Sequence, residues 1–366
     1  MSTSSDVTGR TGERLSRTST FLAVGIAAAV AATGLAWAKW LPYADRAGTV
    51  AASGAWKGSS LLALGAGENP FVRAWDFTLA YSGAVWKALV VALVVAAAVD
   101  ALVPKRWLVA LLGRRSPLGG SVAGGVASLP GMMCTCCTAP IAVTMRRAGV
   151  PLPAALAFWL GNPVLNPAVL VFLALLAPAS WVAVRVVVGV LLVVGFSALV
   201  GVWAARRRGG DGADVPAARE AVERAQRQAD EPLVWREVPR RFLARLARLA
   251  VVLVPEYLVV VFLIGLVGPP LSGVFGKTGA VAVLLAALIG TLVVLPTGGE
   301  IPILLGLAAV GASAGMIGAL LLVLPAISLP SAVMVGRALG WRATAATAGA
   351  TVLGGLLAGG VLTALV

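Results

Sequence analysis

Histidine is missing from this 366-residue chain, and charged residues make up only 12% of it. Without imidazole, a transition-metal site or proton relay must be built from cysteine, carboxylate or hydroxyl groups. So low a charge content, about half that of a soluble domain, excludes an ordinary water-soluble globular fold. Thiols are nearly missing too: Cys134, Cys136 and Cys137 are the only three, packed into four positions. There is no G-x-x-x-x-G-K-[ST] loop, so the chain has no nucleotide-hydrolysing motif of its own. Strict period-two alternation is absent, which argues against a transmembrane β-barrel. The first 19 residues lack the small-residue cleavage pattern of a secretory signal.

What is present is apolar sequence: 59% of residues are hydrophobic, and the mean hydropathy is +0.95. A bilayer core takes roughly 20 apolar residues per helix. Stretches of that kind fall near 20–38, 78–103, 151–178, 180–204, 248–268, 313–335 and 343–366. Two more, 118–147 and 279–311, are apolar but interrupted. The expected fold is an all-α polytopic membrane protein. Its partner is the lipid bilayer, and the net charge of +14 fits basic cytoplasmic loops rather than nucleic acid.

The two interrupted segments resemble each other. An offset of 162 places Pro140, Gly149 and Pro163 against Pro302, Gly311 and Pro325, and Asn166 against Ser328. Upstream, an offset of 166 places Pro104, Gly113, Gly124 and Leu129-Pro130 against Pro270, Gly279, Gly290 and Leu295-Pro296. The first copy therefore carries four extra residues beside its cysteines. Duplicated halves with interrupted hydrophobic segments in matching places are a signature of secondary transporters.

Charge sets the expected topology. Ten arginines lie in the linker 205–247, which with the basic tail should be cytoplasmic. The same side suits Arg146-Arg147 if 118–147 enters and returns as a re-entrant hairpin. Treating 279–311 likewise makes the two repeats inverted. The resulting organisation is a disordered cytoplasmic tail (1–19), a first transmembrane helix with an external loop (20–77), membrane repeat 1 (78–204), the basic linker (205–247) and membrane repeat 2 (248–366). The end of the linker, from Leu233, reads as a helix on anionic headgroups, broken or kinked at Pro239.

Three constellations carry chemistry. In "LPGMMCTCCTAPIAV", Cys134, Cys136 and Cys137 form a cluster suited to soft cations or thiophilic metalloids, although buried cysteines also serve as small packing residues. In "GNPVLNP", Asn162 and Asn166 each precede a proline, which frees backbone carbonyls near a helix break; Ser328 of "LPAISLP" matches Asn166. In "PTGGEIP", Thr297 and Glu300 occupy the turn of the second interrupted segment, with Glu300 matching Thr138. A carboxylate at membrane depth is a functional hypothesis by default, so Glu300 and Glu256 are candidate coupling groups, with Arg185 and Lys87 as candidate partners.

With these motifs the chain resembles the predicted-permease family that contains the ArsP methylarsenite exporters and the YraQ-like permeases. The resemblance covers roughly 78–366. The family's Cys-x-Cys followed by proline is matched by Cys134, Cys136 and Pro140, and its second motif by Gly299-Glu300-Ile301-Pro302. The resemblance implies export of organoarsenicals or metal ions. Cys137 and the doubled Asn-Pro depart from the family pattern, which bears on the substrate and leaves the permease class intact.

The leading expectation is a bacterial inner-membrane secondary transporter, with no cofactor, exporting a small inorganic or organometalloid substrate. Its site would join the thiol turn to the Glu300 turn. The rival is a membrane thiol-disulfide oxidoreductase relaying electrons through Cys134 and Cys137; a third possibility is an uncoupled channel or scaffold subunit.

Overall fold

A computed structural model describes residues 17–55, 69–113, 116–208, 235–267, 279–309 and 311–366. Among the described residues the chain is helical and no strand occurs. Helices are the expected answer to long apolar runs, because in lipid each backbone polar group must be satisfied within its own segment. Among the described residues six helical runs are long and apolar enough to cross a membrane. A seventh is formed by Ala314–Ala326 and Leu329–Leu339, bent by 53° at their break. These runs coincide with the seven stretches expected from hydropathy.

The first run comprises α1 (Arg17–Leu35), a π-helical turn (Ala36–Trp40) and α2 (Leu41–Ser53). It is longer than expected: the helix continues past residue 38 through Ser53, so the first part of the anticipated external loop is helical. Pro42 directly follows the π-helical turn, whose last bond runs from the Leu41 amide to the Ala36 carbonyl. The next helix, α3 (Pro70–Leu102), starts eight residues before 78, with Asn69 capping the amide of Phe71.

Repeat 1 then runs through α4 (Lys105–Leu112), α5 (Pro117–Ser128), a 3-10 turn (Leu129–Gly131), α6 (Thr135–Arg147), α7 (Leu152–Val164), α8 (Pro167–Leu176), α9 (Ala179–Val190), a π-helical turn and α10 (Ser197–Arg208). Repeat 2 contains α11 (Val238–Val267), α12 (Ala280–Gly290), α13 (Glu300–Ala309), α14 (Ala314–Ala326), α15 (Leu329–Leu339) and α16 (Trp341–Leu365). Apart from α4, whose counterpart stretch lies outside the described residues, the element order is the same twice: a long helix, two short helices flanking a break, a proline-bearing helix, a helix behind a second break, and a long final run. The packing corresponds as well. Both α5 and α6 lie against α7, and both α12 and α13 lie against α14.

Close approach depends on small residues. A Cβ on Gly124 of α5 would run into the carbonyl of Ala154 on α7. A Cβ on Gly318 of α14 would sit 2.6 Å from the carbonyl of Ala358 on α16.

The linker corrects one expectation. Pro239 does not break a surface helix; it sits in the first turn of α11, a single 30-residue helix, where proline costs no intrahelical bond. Arg245 of this helix pairs with Asp100 of α3 at 2.7 Å. The expected tail (1–16) and the central linker (209–234) lie outside the described residues.

Candidate functional site

The four extra residues of repeat 1 have a structural counterpart. Helix α6 starts five residues before Pro140, whereas α13 starts two residues before the aligned Pro302. The insertion therefore adds close to one helical turn to the start of α6. That turn carries Cys136 and Cys137, with Cys134 at the N-cap position. Ahead of it, Met132 is the only non-glycine residue with positive φ (47°) among those described. A left-handed methionine is strained by about 1–2 kcal/mol, and such strain gathers at functional breaks.

All three thiols are free and buried. The sulfur of Cys134 lies 3.1 Å from that of Cys136 and 2.9 Å from that of Cys137. The three sulfurs fall within 4.8 Å of one another, a separation a single ion can bridge. The phenol of Tyr81, on α3, lies 3.6 Å from the sulfur of Cys136, and the rings of Tyr81 and Tyr257 are 5.9 Å apart. Thus α3 and α11 wall the cluster on one side.

The other side is repeat 2. The Thr135 and Ser328 hydroxyls are 3.0 Å apart, which joins the thiol turn to the break between α14 and α15. Ser331 braces Ser328: its hydroxyl accepts from the Ser328 amide at 3.2 Å and donates to the Ser328 carbonyl at 2.8 Å. Thr297 enters from the break between α12 and α13, where its hydroxyl accepts from Lys39 at 3.3 Å. Of the expected site residues, Cys134, Cys136, Cys137 and Ser328 are therefore directly assembled, and Thr297 joins them through a lysine of the first helix.

Glu300 belongs to a second node. Its carboxylate accepts from the Arg185 guanidinium at 2.9 Å, and both side chains are buried. Arg185 also donates to the carbonyls of Val164 and Pro163, each at 3.0 Å. These are the carbonyls released at the Asn-Pro break, so the proline signal located real acceptors, and their partner is Arg185. Among the described residues no hydrogen bond joins Glu300 to a thiol. Asn166 caps α8 by accepting from the amides of Ala168 and Val169. Asn162 donates to the carbonyl of Phe158 at 3.1 Å and rests on Gly131, where a Cβ would meet its Oδ1. Asn162 Oδ1, Asn166 Nδ2 and Arg185 Nη1 are buried without a hydrogen-bond partner among the described residues. Buried groups of this kind are rare in folded proteins.

Among the described residues Lys87 is not a partner of Glu300, whose carboxylate pairs with Arg185. Its ammonium lies over the rings of Trp37 and Trp86, at 5.4 and 5.9 Å. The side chain of Glu256 lies outside the described residues, although its backbone is in α11. The sequence reading missed Lys39, Tyr81 and Tyr257. The signal for the two tyrosines was available: with Tyr43 they are the only tyrosines in the chain, and a phenol inside an apolar helix is a polar group needing a partner.

Comparison with known proteins agrees with this architecture. The predicted permease family ArsP_1 matches residues 71–364. The UPF0718 protein YraQ of Escherichia coli (strain K12) is 36% identical over 317 residues, covering 84% of this chain and 86% of the relative. No solved structure matches. The chain belongs to the predicted permease family: it is a multi-pass membrane protein of a transporter family.

Proposed function

We propose that this member of the predicted permease family is a secondary transporter of the bacterial inner membrane that exports a thiophilic cargo, a soft metal ion or a trivalent metalloid species. The observation that carries this reading is the buried triad of sulfurs within 4.8 Å, set at a helix break and tied to the other repeat through Thr135 and Ser328. Thiolates select soft acceptors, and broken helices supply transporter sites where two repeats meet. An inverted relation of the repeats would then let the two breaks open alternately to opposite faces.

Glu300 has a firm internal partner in Arg185, so a coupling role for it requires that pair to open during the cycle. Proton entry through Glu300 or Glu256 is the coupling this reading favours. The cytoplasmic placement of the tail and of the linker 205–247, with the linker on anionic headgroups, follows the distribution of arginines.

The test is a sensitive bacterial host expressing the protein, challenged with trivalent arsenicals, antimonite and salts of copper, zinc and cadmium. Protection against at least one is expected, and it should vanish when Cys134, Cys136 and Cys137 are replaced together by serine. Full protection in the triple variant would reduce the cysteines to packing residues. The sulfur separation of 2.9 Å between Cys134 and Cys137 also suits a redox pair. A cluster that stays reduced by thiol alkylation under mild oxidant removes that reading.

A further inference from the structure

Lys39 precedes the family match, which begins at residue 71. It sits on a helix whose apolar surface is mostly exposed, yet Lys39 itself is buried. A lysine at membrane depth is costly and turns toward a protein interior. Two features turn this one inward. The π-helical turn 36–40 inserts a residue into the helix and rotates the turns after it, as π-bulges do at functional sites. Beside it, the Trp40 indole N–H donates to the carbonyl of Pro130 at 2.9 Å, pinning the turn to the strained thiol break. The Lys39 ammonium then donates to the hydroxyls of Thr297 at 3.3 Å and Tyr43 at 3.2 Å. It also lies within electrostatic reach of Cys134 and Cys137.

Neither hydroxyl carries charge, and Arg185 and Glu300 cancel each other. Lys39 has no carboxylate partner among the described residues. Among the described residues, the interior beside the thiols therefore holds one positive charge in excess, and an uncompensated buried charge is strongly unfavourable.

We propose that Lys39 is a specificity-determining residue of the thiol site, selecting cargo whose thiolate complex carries one negative charge. A soft divalent cation displaces three protons from three thiols, and the complex is left with a charge of −1. A soft monovalent cation on two thiolates, with two protons released, reaches the same charge. A trivalent metalloid hydroxide condenses with three thiols, releasing three waters, and its complex is neutral; a monomethylated one on two thiols is neutral as well. Only the cation complexes compensate Lys39. The selection rests on the three cysteines being the cargo ligands.

The test uses the detergent-solubilised full chain titrated with cadmium, followed by its thiolate charge-transfer absorption, and with arsenite, followed by tryptophan fluorescence. The native protein should bind cadmium in preference to arsenite. Lys39→Met should weaken cadmium binding by about tenfold or more, equivalent to about 1.4 kcal/mol, and leave arsenite binding unchanged or tighter. Lys39→Arg should keep cadmium binding. A native preference for arsenite, an equal loss of both probes in Lys39→Met, or undiminished cadmium binding in that variant overturns the charge selection. Binding of both probes by the triple serine variant overturns the cargo-site reading instead, so the two failures are distinguishable.

Discussion

Replacing Glu300 by glutamine keeps the shape of the side chain and removes its charge. In the structure this leaves the guanidinium of Arg185, which is 0% exposed, with two backbone carbonyls and no anion. Breaking one side of a buried pair costs roughly 3–5 kcal/mol, because the remaining charge stays desolvated and unpaired. Arg185→Met should cost a similar amount, since it strands the carboxylate and also takes the donors from the carbonyls of Pro163 and Val164, each worth about 1–3 kcal/mol when buried unpaired. The double variant removes both charges and should recover much of the loss, so the two effects will fall well short of additive. The measurement is equilibrium unfolding in mixed micelles of rising denaturing-detergent fraction, read by the fluorescence of the 11 tryptophans. Additive losses, or a Glu300→Gln protein as stable as the native one, would refute the claim that this pair ties repeat 1 to repeat 2. A Glu300→Gln protein that folds with native stability yet fails to transport would assign the carboxylate to coupling.

Other consequences are simpler to read. Thr135→Val removes the hydroxyl contact with Ser328 and should cost about 1 kcal/mol, with a larger effect on cargo affinity than an equally destabilising change elsewhere in α6. Gly131→Val places side-chain atoms where Asn162 Oδ1 lies and should destabilise by about 1–3 kcal/mol through overpacking, whereas Gly306→Ala, with open space around its Cβ, should be neutral or stabilising. Trp40→Phe keeps the ring and loses the bond to the Pro130 carbonyl, and hydrogen exchange should report faster opening at 129–133. Single cysteines introduced at positions 148 and 206 of the triple serine background should be labelled from the cytoplasmic side; labelling of both from outside would overturn the charge-based topology.

Much of this was legible in the sequence because a bilayer enforces it. Long apolar runs have one satisfactory backbone state, so the spans and their approximate limits can be read from hydropathy. Glycine and proline at matched offsets mark the breaks. Residues that the fold brings together in its interior were legible where polar groups stood inside apolar runs, as with the three cysteines and Ser328. What each would bind was less legible. The acceptors released at "GNPVLNP" serve Arg185, a long-range partner separated from Pro163 by 22 residues.

Lys39 shows why one buried polar group escaped. "AWAKWLPY" has the tryptophans, tyrosine, lysine and proline of an interfacial anchor at the end of a span, and hydropathy ends the helix there. The helix in fact continues to Ser53, with Pro42 directly after the π-helical turn. A π-helical turn has no composition of its own; it appears only when neighbouring side chains reward the extra residue. Here the reward comes from Pro130, Thr297 and the thiols, all at least 90 positions away. A buried lysine beside a thiol cluster is thus a property of the assembled fold, contributed together with Trp40 and Tyr43 by a segment that precedes the matched family residues.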